Sequence, residues 1–275
     1  MTSVGSPPYT VSLLSDFGLA DEFVSVCKGV ILSLAPAARL LDITHDIAPH
    51  DVRSGALTLV RSVQYLPAGV VLAVVDPGVG TDRRLVAAVT DDQVLVGPDN
   101  GLLAPAAAML GGARQVVALT GAGYELPGPG VTFAGRDILA PAVGQLCAGA
   151  PAESLGELVD PATLVPGLVS LPQPDGEGLS GEVWWIDRFG NCQLNIGPDE
   201  LRALGAEPGR AVQVQIGDQA RMARWVNTYA AAKPSELVIV VDSYGLASLA
   251  LDRRSAADEL GVRAGSGVVV TAGER

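Results

Sequence analysis

The sequence is poor in several residue types, and each shortage removes a class of function. Among 275 residues there are two histidines, His45 and His50, and three scattered cysteines, Cys27, Cys147 and Cys192, with no CxxC pair. That is too little for a zinc site or a disulfide framework. The odd, dispersed thiols read as buried groups of a reducing compartment, the cytoplasm. Positive charge is scarce too: 18 Lys and Arg stand against 30 Asp and Glu, for a net charge of −12. Such a surface repels phosphate backbones and anionic headgroups, so nucleic acid and membranes are poor partners. No apolar run approaches the roughly 18 residues of a membrane span; stretches such as residues 70–75 are strand-sized. Residues 1–9 show neither the basic start nor the apolar centre of a signal peptide. G-x-x-x-x-G-K-[ST] does not occur, and the single G-x-G-x-x-G, at residues 176–181, leads into a strand-like segment rather than opening a helix, so an ordinary dinucleotide or P-loop site has no support.

What is present is core material. Hydrophobic residues make up 48% of the chain and charged ones 17%, enough for two domains, or for one large domain with an appendage. Residues 9–14, 39–43, 70–75, 85–90 and 93–96 read as short apolar strands, the last two joined by a turn at Asp91-Asp92. Between them, residues 21–34 and 52–63 have helical spacing, and residues 136–148 follow a Gly/Pro-rich loop at 127–130 as a further helix. Continuous rather than alternating strands, separated by helices, predict an α/β fold with a mostly parallel sheet covered on both faces. Composition places this domain at 1–168 and a linker at 169–178. Residues 179–275 then form a small all-β, barrel-like or sandwich domain of short strands at 181–187, 191–195, 211–216, 237–241, 247–251 and 267–271.

In an open α/β sheet a ligand sits at the carboxyl ends of the strands. Asp16 and Asp76 both follow strands directly, so both can face one crevice. An acidic residue such as Asp16 can hold a ribose diol, or it can simply shape an Asx-turn, with a helix cap at residues 20–21. Asp76 leaves a buried strand, a glycine turn follows, and Arg83 and Arg84 come seven and eight residues later. One arginine could fold back into an ion pair that holds and polarises a water, or both could be solvated. The segment 97–101, Gly-Pro-Asp-Asn-Gly, is a turn signature. Thr132-Phe133-Ala134-Gly135-Arg136-Asp137 opens a helix whose amides suit a pocket floor, and residues 186–191 form a turn carrying Asp187 and Asn191. His45 reads as a structural strand-end histidine and His50 as a loop residue. Of Trp184 and Trp185, adjacent on one strand, one is expected in the core and one at the surface.

Taken together these segments resemble one family, the S-adenosyl-L-methionine (SAM) hydroxide adenosyltransferases, relatives of the SAM-dependent fluorinase and chlorinase. The resemblance is carried by SDFG-x-x-DEF at Asp16, CKG at Cys27, DITH at Asp42, VDPGVGTDRR at Asp76, VGPDNG at Val96, TF-x-GRD at Thr132, IDRFGN at Ile186 and SAADELGV near the end. Separated motifs in one order are far more specific than any one of them. The resemblance implies a Rossmann-like N-terminal domain, a C-terminal β-barrel, and a homotrimer with active sites at subunit interfaces. It implies that Asp16 holds the ribose hydroxyls, and that Asp21, Asp187 and Ser243 hold the methionine amino and carboxylate groups. Asn191 would read the adenine, and Phe133 and Gly135 would line the substrate. Asp76 and Arg83 match two members of an Asp–Arg–His set that manages the attacking water.

The implied reaction is hydrolysis of SAM to adenosine and L-methionine by in-line attack of water at C5′, with SAM as substrate and no cofactor. The halogenases carry an aromatic residue at the position of Asp76, and the fluorinase a threonine at that of Val79. A carboxylate there repels the halide such a pocket must bind, so a SAM-dependent halogenase is the weaker alternative. One departure stands out: the family histidine of TF-H-GRD is Ala134 here. An introduced replacement that slows turnover and natural divergence toward a weak hydrolase both fit, and the intact residues on either side favour the former. A non-catalytic SAM- or adenosine-binding module is the alternative that the missing histidine supports. The intact Asp76 and Arg83 oppose it.

Overall fold

The computed structural model describes residues 9–120 and 123–273; the signal-peptide reading concerns residues that lie, all but Tyr9, outside these. The chain divides into two compact units, Met1–Val169 and Ser170–Arg275. No helix among the described residues is long and apolar enough to cross a membrane.

In the first unit the order is β1 (Thr10–Ser15), α1 (Phe23–Leu34), β2 (Arg39–Thr44), α2 (Val52–Ser62), β3 (Gly69–Val74), β4 (Leu85–Val89), β5 (Gln93–Pro98), α3 (Ala104–Met109), β6 (Gln115–Ala118), a π-helical turn over Gly135–Leu139, α4 (Ala140–Cys147) and β7 (Glu157–Val159). The strands lie in the order β2-β1-β3-β5-β4-β6-β7. The β1–β2, β1–β3 and β3–β5 pairs are parallel. The β4–β5, β4–β6 and β6–β7 pairs are antiparallel. The antiparallel half begins where the Asp91-Asp92 turn folds β4 onto β5, because a turn that short can join only antiparallel strands.

Every residue of β3 is buried, and the strand's period of two sends them to opposite faces. Val70, Leu72 and Val74 join a core with Cys27 and Ile31 of α1 and Val143 of α4. Val71, Ala73 and Val75 join another with Leu59 of α2 and Ala106 of α3. A continuous apolar run is thus what a strand covered on both faces requires. The parallel pairing brings the ends of β1 and β3 level, Ser15 opposite Val74.

The second unit comprises β8 (Gln173–Asp175), β9 (Gly178–Ile186), β10 (Cys192–Leu194), α5 (Pro198–Ala203), β11 (Ala211–Ile216), β12 (Gln219–Val226), β13 (Val238–Val241), β14 (Ala247–Ala250), α6 (Ala256–Leu260) and β15 (Gly267–Ala272). The sheet runs β10-β14-β13-β12-β11-β15-β9-β8, and a further β9–β10 pairing closes seven of these strands into a barrel. Closure leaves β8 alone at the margin and removes the exposed edges of the others. Residues 173–175, within the stretch that reads as a linker, pair with the start of β9. Val183, Leu194, Val214, Ile239, Leu249 and Val270 fill the interior. Trp184 and Trp185 are both half-buried, against the expected split between core and surface. The tryptophan of the barrel core is Trp225, on β12.

Candidate active site

The carboxyl edge of the parallel strands carries the candidate groups. Asp16 and Asp76 leave the ends of adjacent strands, and the Asp16 N–H donates to the Val74 carbonyl at 3.3 Å. An Asp16 carboxylate oxygen accepts the backbone N–H of His50 at 2.9 Å, and His50 holds a positive φ of 69°. Sequence reasoning missed this contact, since it links residues 34 apart through a main-chain amide. Beside it, the buried Ser15 hydroxyl and His45 Nδ1 are 2.7 Å apart. His45 Nε2 lies 3.2 Å from Asp42, which Lys28 also contacts at 2.7 Å. Burial raises the Asp42 carboxyl, but hydrogen bonds to Lys28 and His45 outweigh it and hold the group below its ordinary value. His45 is therefore structural, as its position suggested. Asp21 is exposed just ahead of α1. The helix N-cap is Glu22, with no side-chain bond, so the cap expected at residues 20–21 is not formed.

After Val75 the chain reverses twice, with Val79 N–H donating to the Asp76 carbonyl at 3.2 Å and Thr81 N–H to that of Gly78 at 3.1 Å. These turns return Arg83 to Asp76. Arg83 Nε donates to Asp76 Oδ1 at 2.6 Å and Nη2 donates to Oδ2. The pair is enclosed, with 6% of the Asp76 and 15% of the Arg83 side chain exposed. Arg84 turns elsewhere: its Nε donates to the buried Asp99 at 2.9 Å and its Nη1 to Thr163 at 3.1 Å. Both arginines are thus paired, and Arg83 is the partner of Asp76. The bidentate pair carries no net charge, yet each carboxylate oxygen keeps a lone pair for a further donor. That arrangement suits a neutral hydroxylic molecule better than a free anion.

Ala134 is buried and, with Thr81, Arg83, Val131 and Asp137, lines a cavity of about 310 Å³. The amides of Arg136 and Asp137 both donate to the Phe133 carbonyl, each at 3.0 Å. These two amides are spent on the turn itself. Phe133 packs edge-on against Phe17 and Phe23, with centroids 5.9 and 5.1 Å away, and Arg136 lies 5.1 Å from its ring. A Cβ on Gly135 would lie 3.2 Å from the Phe17 ring and 3.5 Å from the Cys27 sulfur, so a larger residue there would have to push the aromatic cluster aside by a few tenths of an ångström. Burial pushes the Cys27 thiol up to about 12, with Arg136 opposing and Asp137 adding to the shift. It is an inert packing group rather than a nucleophile.

In the second unit, Asp187 and Asn191 form one turn. Asp187 Oδ1 accepts the N–H groups of Phe189 and Asn191, each at 2.9 Å, and Oδ2 accepts Asn191 Nδ2 at 2.7 Å. Asn191 uses its amide nitrogen in this turn, so its side-chain oxygen remains as an acceptor. Ser243 is exposed on a second turn, which Asp242 shapes by accepting the Tyr244 N–H at 2.8 Å.

An α/β unit followed in the chain by a closed seven-stranded barrel is an architecture seen before. A crystal structure of an uncharacterized conserved protein from Thermotoga maritima matches with a TM-score of 0.87 at 31% identity, over 95% of this chain and 99% of that one. That of a conserved hypothetical protein from Thermus thermophilus matches with a TM-score of 0.75 at 37% identity, again over 95% and 99%. The SAM hydroxide adenosyltransferase N-terminal domain model matches residues 11–156, and the corresponding C-terminal domain model residues 181–269. The chain belongs to the SAM hydroxide adenosyltransferase family. It is 45% identical to an (R)-S-adenosyl-L-methionine hydrolase of Salinispora tropica, over 98% of this chain and all of that one. It is 39% identical to another of that name from Thermus thermophilus, over 93% and 96%. A fluorinase of Actinopolyspora mzabensis is more distant, at 27% identity over 95% and 96%.

Proposed function

We propose that this protein hydrolyses SAM to adenosine and L-methionine. The observation that carries the reading is the enclosed, charge-neutral Asp76–Arg83 pair. Water donates a hydrogen bond to the free lone pair of Asp76 and attacks C5′ in line with the C5′–S bond. The O–C5′ bond forms as the C5′–S bond breaks, its electrons pass to sulfur, and methionine leaves as a neutral thioether. The attacking oxygen loses its proton by way of the Asp76 carboxylate to solvent. A sulfonium needs no protonation to depart, so the reaction calls on no metal or redox cofactor. Alignment alone can contribute several kcal/mol, up to roughly 7–11 in favourable cases. Because Arg83 already neutralises Asp76, the pair offers a halide no attraction, and water is the nucleophile it favours.

The substrate contacts belong to the same proposal. Asp16 retains a carboxylate oxygen for the ribose diol beyond the one His50 occupies. The free Asn191 oxygen suits the exocyclic amine of adenine, while Asp21, Asp187 and Ser243 take the amino and carboxylate ends of methionine. Phe133 and Gly135 form the wall. Ala134, in place of an imidazole beside Arg83, slows turnover without abolishing SAM binding. The assembly is a homotrimer, on the resemblance, and three buried free thiols agree with a cytoplasmic setting.

A single-turnover incubation with SAM in chloride-containing buffer, chromatographed for adenosine, methionine and 5′-chloro-5′-deoxyadenosine, tests this reading on the chain and on Ala134→His. Adenosine with equimolar methionine, formed faster by Ala134→His, is expected. Bound SAM with no release from either form would leave a binding module. The chloro-nucleoside would mark a halogenase.

A further inference from the structure

The Gly97–Gly101 segment reads as an ordinary turn, yet two of its residues, Asp99 and Asn100, reach well beyond it. The loop of Asp76 and Arg83 leaves β3 and enters β4, and these strands are not neighbours, because β5 lies between them. β5 is parallel to β3 and antiparallel to β4. Its carboxyl end therefore sits beside both the exit of the first and the entrance of the second, with Pro98 opposite Leu85. The next two residues, Asp99 and Asn100, each hold one end of the loop. Asn100 Nδ2 donates to the Val75 carbonyl at 2.9 Å, the peptide immediately before Asp76. Asp99 accepts Arg84 Nε at 2.9 Å, and its own N–H donates to the Arg84 carbonyl, also at 2.9 Å. The residues just outside the ion pair, 75 and 84, are thus clipped by adjacent residues of one turn.

We infer that Asn100 is a positioning residue for the Asp76–Arg83 pair, fixing the strand end from which Asp76 projects. A turn asparagine usually serves its own turn, and here Oδ1 does so, accepting the Leu102 N–H at 3.2 Å. The amide nitrogen instead crosses to a carbonyl 25 residues away on another strand. Without that bond the buried Val75 carbonyl loses a partner, and the first residue of the loop gains freedom. Misplacement by a fraction of an ångström then lowers the rate while leaving affinity alone, since Asn100 touches neither Asp76 nor Arg83 directly.

The inference rests on the proposed role of the pair, and two measurements separate the two claims. In the first, Asn100→Ala and Asn100→Asp are compared with the parent in single turnover, with SAM affinity and stoichiometry read by calorimetry. Asn100→Asp keeps the acceptor for Leu102 but puts a charged oxygen where the donor was, so a rate loss shared by both variants belongs to the missing bond and not to the added charge. A rate lower by about tenfold or more is expected, with Kd within about twofold and unchanged stoichiometry. In the second, denaturation midpoints of the neutral Asn100→Ala, of Arg83→Ala and of the double variant form a cycle. If Asn100 acts on the pair, the double variant loses less than the sum of the single losses. An unchanged rate in the Asn100 variants, or additive midpoints, overturns the inference. If the parent itself releases no adenosine, the hydrolase reading falls and the midpoint cycle alone decides the positioning claim.

Discussion

Arg83 lies across Gly78, and the ion pair depends on what Gly78 lacks. A Cβ on Gly78 would stand 3.0 Å from Arg83 Cδ, closer than carbon atoms pack without one of them moving. The guanidinium at the far end of that side chain is held on both oxygens of Asp76. Gly78→Ala should therefore displace Arg83 by a few tenths of an ångström rather than unfold the chain. We expect a single-turnover rate down by about tenfold and a stability loss of about 1 kcal/mol, read from quenched reactions and denaturant melts.

Arg83 and Arg84 are neighbours in sequence with different duties. Each pairs with a buried carboxylate, so loss of either leaves an unpaired charge and should destabilise by about 3–5 kcal/mol. Their rates should diverge. Arg83→Ala removes a partner of the reacting groups and should slow adenosine release by about 100-fold or more. Arg84→Ala, which loses contacts to Asp99 and Thr163 and none to Asp76, should cost less than about tenfold. Equal losses would contradict the assignment of Arg83 as the inward residue.

The cavity of about 310 Å³ beside Ala134 is large enough for a free five-membered ring. Imidazole added at tens of millimolar should raise the rate of the chain severalfold, and the gain should vanish in Ala134→His, whose own ring fills the space. Imidazole titrations at constant pH and ionic strength make the comparison. A gain of equal size in both proteins would show that it does not arise in this cavity.

The barrel carries an acid-sensitive clasp. Hydrogen bonds from Arg224, whose Nε and Nη2 reach Glu236 at 2.7 Å each, hold the Glu236 carboxyl down to about 2 from an ordinary 4.5, helped by the Lys233 amide. A group depressed on folding contributes stability that is fully present above its unfolded value and is lost as pH falls through its folded value. That contribution should therefore fade between pH 4.5 and about 2. Glu236→Gln should flatten the fall in melting temperature across this window and alter little near neutrality.

Much of this was legible in the sequence. The buried run of β3, the Asp91-Asp92 turn and the strand-end positions of Asp16 and Asp76 follow from periodicity and turn chemistry alone. β12 escaped because its first four residues, Gln219 to Met222, are exposed and show no apolar alternation. β6 and α3 escaped because short runs of small apolar residues suit helix and strand alike. In the site, the motif around Asp76 offered both Arg83 and Arg84. Which one turned inward depended on β5 lying between β3 and β4, a fact of sheet order that no local pattern carries. The His50 amide on Asp16 and the Asn100 amide on Val75 were hidden for the same reason: both are long-range contacts to the main chain.

The central claim is that water, held at Asp76 and Arg83, is the nucleophile at C5′. Stoichiometric protein incubated with SAM in water enriched in oxygen-18, followed by mass spectrometry of the released nucleoside, tests it most directly. The account predicts adenosine carrying one heavy oxygen at the 5′ position, with formation slowed by about 100-fold or more in Asp76→Asn. Unlabelled nucleoside, or labelled adenosine formed equally fast by Asp76→Asn, would contradict it.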